Sequence, residues 1–286
     1  MKRFLLIAGL VGMMAAQADE ISVALLPWVP DLDAYKKALV TAWTKAGETD
    51  TIRFADWDCF SEAYPTNVDV TVHESGYVED FVKRGLILPL AAPEASAFST
   101  WAVEGGKVAD TVYGYPQMLC THFTFTRGET PVTATAGEHD IERRFPEAAK
   151  GMKVFAYEAE MKERADWFAA AEGRALIDYS ETMKLMPRAL RDTVRFTPYE
   201  AKDCRYYVNY VSVSASCAES RRAAARRLAA LLVSRDYLSS ALWPKDGEPQ
   251  YILPARNDVF ADFAVRDAIY GRLLKYAQRA DNRTMR

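Results

Sequence analysis

Cys120 ends a Gln-Met-Leu-Cys run, and Glu181 directly follows Ser180. Together these two side chains have the makings of a nucleophile and its base. A thiol attacks as the thiolate, and with a pKa of about 8.5 only a few per cent is ionised at neutral pH. A carboxylate within hydrogen-bond reach takes the thiol proton as the sulfur attacks. It does so best when an apolar, partly closed cleft raises its own pKa. Each residue also has a plainer account. A lone cysteine beside Leu119 suits a small buried hydrophobe, and an acid in the first turn of a helix is ordinary dipole chemistry. His122 offers the thiol a second partner, as in a Cys/His hydrolase. Side chains two apart on an extended segment, however, point in parallel rather than at each other. His73 and His139 have no metal-ligand company in the sequence and read as structural or exposed.

The four cysteines, Cys59, Cys120, Cys204 and Cys217, match no zinc spacing. With one of them a working thiol, at most one disulfide remains. Cys204 with Cys217 is excluded if the apolar stretch between them is one extended strand that holds its ends apart. The net charge of −3 gives no reason to expect a nucleic-acid partner. Arg221, Arg222, Arg226 and Arg227 lie at helical spacing among alanines and read as a solvated helix face.

At the start, Lys2 and Arg3 precede an apolar run from Phe4 to Met14, then Ala16-Gln17-Ala18. This is the pattern of a signal peptide over residues 1–18. The run falls short of the roughly 20 residues that span a bilayer. The expectation is a periplasmic or secreted chain beginning near Asp19, with no membrane association after cleavage. No later segment is apolar enough to span. Half of the 286 residues are apolar, as in a folded globule with one large core or two lobes.

The elements that must position Cys120 and Glu181 follow from periodicity. Strands are expected at Ile21 to Leu26, Thr51 to Phe54 and Val68 to Val72. A helix from Asp31 to Ala46 places Tyr35, Leu39, Val40 and Trp43 on one face. A short helix from Tyr77 to Arg84 ends at Gly85. That order predicts an α/β domain with a largely parallel sheet. Cys120 to Arg127 is β-rich, Met161 to Glu172 is helical and Ala175 to Asp178 is a buried strand. Ser180 is expected to cap a new helix. Arg205 to Val213 is a strand, Glu219 to Leu242 one helix with Leu228, Leu231, Leu232 and Leu238 inward, Tyr251 to Arg256 a connector, and Phe263 to Gln278 a closing helix.

This layout resembles the two-lobed solute-binding fold, periplasmic-binding-protein-like and of type II, in which a Tyr-Gly-x-Pro segment leads into a strand crossing between lobes. Several stretches are similar to type I thiaminase, an enzyme on that fold. They are Pro27-Trp28-Val29-Pro30-Asp31, Asp56-Trp57-Asp58, Tyr113-Gly114-Tyr115-Pro116-Gln117-Met118-Leu119-Cys120-Thr121, Trp167-Phe168, Gly173-Arg174-Ala175, Tyr179-Ser180-Glu181-Thr182-Met183, Val211-Ser212-Val213 and Tyr251-Ile252-Leu253-Pro254-Ala255-Arg256. The Pro-Gln-x-Leu-Cys-Thr and Tyr-Ser-Glu-x-Met segments are the specific ones.

The resemblance implies a ligand cleft between lobe 1 (residues 19–120 plus about 208–245) and lobe 2 (about 121–207 plus 246–286). It implies Cys120 as nucleophile toward the pyrimidine of thiamine and Glu181 as its base. The pyrimidinylmethyl group then passes to an amine or thiol acceptor, with no metal or organic cofactor, in a monomer. A non-catalytic receptor for thiamine or a related heterocycle is the alternative. A flat cationic ligand calls for ring faces and carboxylates, and the candidate contacts are Trp28, Phe60, Glu74, Tyr179, Tyr207 and Asn209. The chain departs from the pattern in having Leu26, Trp28 and Phe60 where the family has tyrosines, and Asn209 where it has an aspartate. Lys162 lies in a helix that lacks the usual tyrosine, and the chain is shorter than typical members between Arg127 and Glu160. These changes bear on which substrate is taken.

Overall fold

The computed structural model describes residues 20–60, 62–128, 131–157, 159–199 and 206–279. The signal-peptide segment and Cys204 lie outside them. Thirteen strands are numbered in chain order: β1 Glu20–Ala24, β2 Thr51–Phe54, β3 Val70–Glu74, β4 Lys107–Val108, β5 Thr111–Val112, β6 Tyr115–Cys120, β7 His122–Arg127, β8 Ala134–Gly137, β9 Lys153–Val154, β10 Arg174–Tyr179, β11 Val194–Pro198, β12 Tyr207–Val213 and β13 Leu253–Pro254.

Two sheets carry the architecture. The first has the order β13-β6-β12-β3-β1-β2 and the second β11-β7-β10-β8-β9. In the first, β1 runs parallel to both β2 and β3, while β12 runs antiparallel to β3 and β6. The largely parallel expectation therefore holds for the N-terminal part, and the sheet as a whole is mixed. β3 and β12 are buried along their full lengths. A strand covered on both faces needs a near-continuous apolar run, which Val70, Val72, Val208, Val211 and Val213 supply.

The chain passes between the sheets at Thr121. Cys120 is the last residue of β6 in the first sheet and His122 the first of β7 in the second. The β-rich run from Cys120 is thus two strands in two sheets, with Cys120 at the crossing. Gly114 lets β6 enter against β12: a Cβ there would lie 2.7 Å from Tyr210 Cβ, closer than packed carbons approach. The described residues from 246 to 279 touch both sheets. Leu253–Pro254 pair with β6 in the first sheet, and the Tyr276 hydroxyl donates to the Phe196 carbonyl in the second.

Helices follow the expected pattern with three corrections. Asp31 caps the helix Leu32–Lys45 by accepting from Ala34 N, and Tyr35, Leu39 and Trp43 face inward. Val40 is 43% exposed, because a 100° step from Leu39 carries it off the apolar stripe. Glu219 to Leu242 is broken rather than continuous. The helix Arg222–Leu232 ends, Ser234 accepts from Tyr237 N, and a new helix runs Arg235–Leu242, leaving Leu231 only partly buried. The closing helix is likewise two, Asn257–Arg266 and Ala268–Arg279, divided at an extended Asp267. Gly85 takes φ +68° after the short helix Val78–Lys83. No described helix is long and apolar enough to cross a membrane.

Candidate functional site

A pocket opens between the two sheets, at the carboxyl ends of β1, β2, β3, β6, β8 and β10, with about 570 Å³ of empty space counting its mouth. Open α/β sheets bind ligands at that end. The first sheet's side contributes Leu26, Trp28, Phe60, Glu74, Cys120 and Asn209. From the second come Tyr179 and Glu181 after β10, Glu138, His139 and Asp140 after β8, and Met161 and Arg164 from the helix Met161–Ala169.

Both proposed chemical residues therefore face one space. Cys120 is half-buried, and its Sγ accepts a hydrogen bond of 3.2 Å from Asn209 Nδ2. Register explains the contact, since Asn209 and Tyr207 of β12 pair with Met118 and Cys120 of β6. Glu181 is 8% exposed. Burial pushes its carboxyl up to about 7, Asp178 adds repulsion, and its own backbone N–H, Ser180 and Arg164 pull the other way. Ser180 does not cap the segment. Ser180–Leu185 is a 3-10 helix with no side-chain cap, and the Ser180 hydroxyl donates to Glu181 Oε2 at 3.4 Å. Ser180 is the first residue inside the 3-10 segment, and the capping position falls to Tyr179.

Of the expected ligand contacts, Trp28, Phe60, Glu74, Tyr179 and Asn209 line the pocket. Tyr207 does not. It sits one pleat repeat, roughly 6.6 Å, from Asn209 along β12, and is buried beside Cys120 in the sheet. His122 is not a lining residue either. Its Nε2 lies 2.7 Å from Glu138 Oε1, and its ring packs 4.4 Å from Tyr179. His73 is structural as expected, bonded to Ser212 Oγ at 2.9 Å and lowered to about 4 by burial.

The acidic and cationic floor of the second half was missed in the sequence. Glu138 accepts from His122 and from Asp140 N, and its carboxyl lies far below the usual range despite burial, held there chiefly by His122 and His139. His139 is not isolated. Nδ1 lies 3.0 Å from Glu138 Oε2, and although burial opposes its charge, Glu138 raises its pKa overall. Ligand atoms of Glu138, His139 and Asp140 lie within 4.8 Å of one another, and the contacts of Glu138 with His139 and His122 account for the grouping. Arg164 forks onto Asp178, Nε to Oδ2 at 2.6 Å and Nη2 to Oδ1 at 3.3 Å. The Glu-His-Asp triplet directly after Gly137 was the available signal. Beyond Trp28, Tyr157 donates to Asp58, and Trp28 meets Tyr157 and His139 edge-on or tilted. Cys59, Cys120 and Cys217 form no disulfide among the described residues.

A scan against protein-family models finds no match. Thiaminase-1 of Paenibacillus thiaminolyticus is 27% identical over 99% of this chain and 88% of its own length. The structure of thiaminase I from Bacillus thiaminolyticus superposes with a TM-score of 0.75 at 26% identity, covering 90% of this chain and 91% of that one. Clostridium botulinum thiaminase I in complex with thiamin gives 0.76 at 23%, covering 92% and 93%. The GacH receptor of Streptomyces glaucescens, at 12% identity and a TM-score of 0.70 over 94% of this chain and 88% of that one, shares the fold alone. The chain is a homologue of thiaminase I on the two-lobed solute-binding-protein fold.

Proposed function

We propose that this chain is a thiamine-cleaving transferase that moves the pyrimidinylmethyl group of thiamine, or a close analogue, to an amine or thiol acceptor. Cys120 Sγ adds to the electron-poor pyrimidine ring while Glu181 takes the thiol proton. The bond from the methylene carbon to the thiazolium nitrogen breaks, its electron pair staying on a nitrogen that was quaternary, so the thiazole leaves neutral. The acceptor's lone pair bonds the methylene carbon, and the sulfur–ring bond breaks. Glu181 returns its proton to the sulfur, and the acceptor's proton goes to solvent. Trp28, Phe60, Tyr179, Glu74 and Asn209 hold the flat substrate. The leader-like residues 1–18 support an enzyme that works outside the cytoplasm.

The observation that carries this reading is Cys120 and a buried Glu181, raised to about 7, on one pocket between the two sheets. A receptor has no use for a thiol that shares a pocket with a base of that kind. Fold alone supports the receptor reading. Incubation with thiamine and an aromatic amine, followed by mass analysis of the small molecules, separates them. The transferase reading expects free thiazole and a pyrimidinylmethyl amine. Bound but intact thiamine would leave the receptor.

A further inference from the structure

Arg164 is the one guanidinium among the lining residues, and its side chain is 4% exposed. All three of its nitrogens are engaged, by two partners. Nε and Nη2 fork onto Asp178, which is fully buried, and Nη1 donates to the Ala159 carbonyl at 2.9 Å. Asp178 Oδ1 also accepts from Tyr179 N at 2.8 Å. The pair therefore fixes the strand end from which Tyr179 and Glu181 reach the pocket. The helix bearing Arg164 packs directly on the turn bearing Glu181.

The geometry has a chemical consequence. A cation beside a carboxylate makes an ion pair, and a paired carboxylate is a poor proton acceptor. Arg164 is close enough to feel Glu181, Glu138 and Asp178, yet its fork is spent on Asp178. We propose that Arg164 and Asp178 are positioning residues for Glu181: Asp178 occupies the guanidinium so that the base stays unpaired and turned toward Cys120. The inference rests on Glu181 being that base.

The other charged and titratable groups around Glu181 come from every neighbouring element. Glu138, His139 and Asp140 follow β8, Glu74 ends β3, and Cys120 ends β6. Tyr270, on the helix Ala268–Arg279, is near enough for the Glu181 charge to raise its own pKa. Glu138 is matched by His122 and His139. His139 is engaged by Glu138 and Asp140, which leaves Arg164, the lining guanidinium, to capture Glu181 if Asp178 lets go.

The test is the pH dependence of Cys120 alkylation by iodoacetamide, mapped by peptide mass, which needs no thiamine turnover. Failure of the transferase reading would therefore leave this readout intact. The parent should show a limb near pH 7 that Glu181→Gln removes. Asp178→Asn frees Arg164 to pair with Glu181, so the limb should move down by about 1–2 pH units, the usual effect of an opposite charge at contact. Arg164→Met removes the cation and leaves Asp178 repelling the base, so the limb should move up. Arg164→Lys keeps the charge and should keep the limb in place, and with Asp178→Asn it decides the matter should Arg164→Met not fold. Shifts in one common direction, no shift, or a limb that survives Glu181→Gln would overturn the proposal, since loss of mere structural support does not give opposite signs.

Discussion

Asn209 Nδ2 donates to Cys120 Sγ across 3.2 Å, tying the middle of β12 to the last residue of β6. A donor aimed at sulfur favours the thiolate over the thiol. Asn209→Ala should therefore slow Cys120 alkylation by roughly fivefold, the worth of one modest hydrogen bond. Asn209→Asp brings a full charge to the ligand, so thiamine should bind more tightly and salt should weaken that variant more than the parent. Calorimetric titration at two ionic strengths checks both. Unchanged thiamine affinity would show that this position does not read the substrate's charge.

Cys120→Ser should abolish turnover while leaving thiamine affinity within about a factor of a few, because a hydroxyl is a far weaker nucleophile at neutral pH. Cys59 and Cys217 are buried and pushed up to about 12 by that burial. Replacing either should leave the chemical step untouched. Single-turnover rates and equilibrium binding of each variant decide it.

Glu181→Gln removes proton acceptance and keeps the shape, so turnover should fall by about 10²–10⁴-fold with little change in affinity. In the parent the ionised carboxylate is the working form. With its pKa near 7, the rate should rise with pH through that value and flatten above it. A loss confined to substrate affinity would make Glu181 a contact rather than the base.

The same burial has a stability consequence. The Glu181 carboxyl is ordinarily near 4.5 and rises to about 7 in the native state. A raised pKa means the folded protein holds the proton more tightly than the unfolded one. Stability from this group is fully present below about 4.5 and is lost as pH rises through about 7, at about 1.4 kcal/mol per unit inside that window. Glu181→Gln should match the parent near pH 4 and exceed it by roughly 3 kcal/mol at pH 8. Urea unfolding at the two pH values reads the difference.

The N-terminal strand-helix-strand order was legible because Thr51–Phe54 and the Tyr35, Leu39, Trp43 stripe have clean periods. Cys120 and Glu181 stand out in the sequence because each sits in a distinctive local motif, and both line the one pocket. The break at Ser234 was not, since an apolar period runs on across it and only the serine's capping bond shows the interruption. Nor was the Glu138, His139, Arg164 and Asp178 floor. Its members lie on three elements, and no local pattern announces that Arg164 reaches Asp178, fourteen residues on. Tyr207 falls outside the lining residues for a related reason: strand spacing gives the face but not how far along the strand the pocket extends.

The central claim is a covalent bond between Cys120 and the pyrimidine of thiamine, and intact-protein mass spectrometry after mixing with thiamine alone tests it most directly. A mass increase equal to the pyrimidinylmethyl group should appear, map to the peptide bearing Cys120, be absent in Cys120→Ser and vanish on adding an amine. An unmodified protein under conditions in which thiamine is cleaved, or an adduct on any other residue, would contradict it.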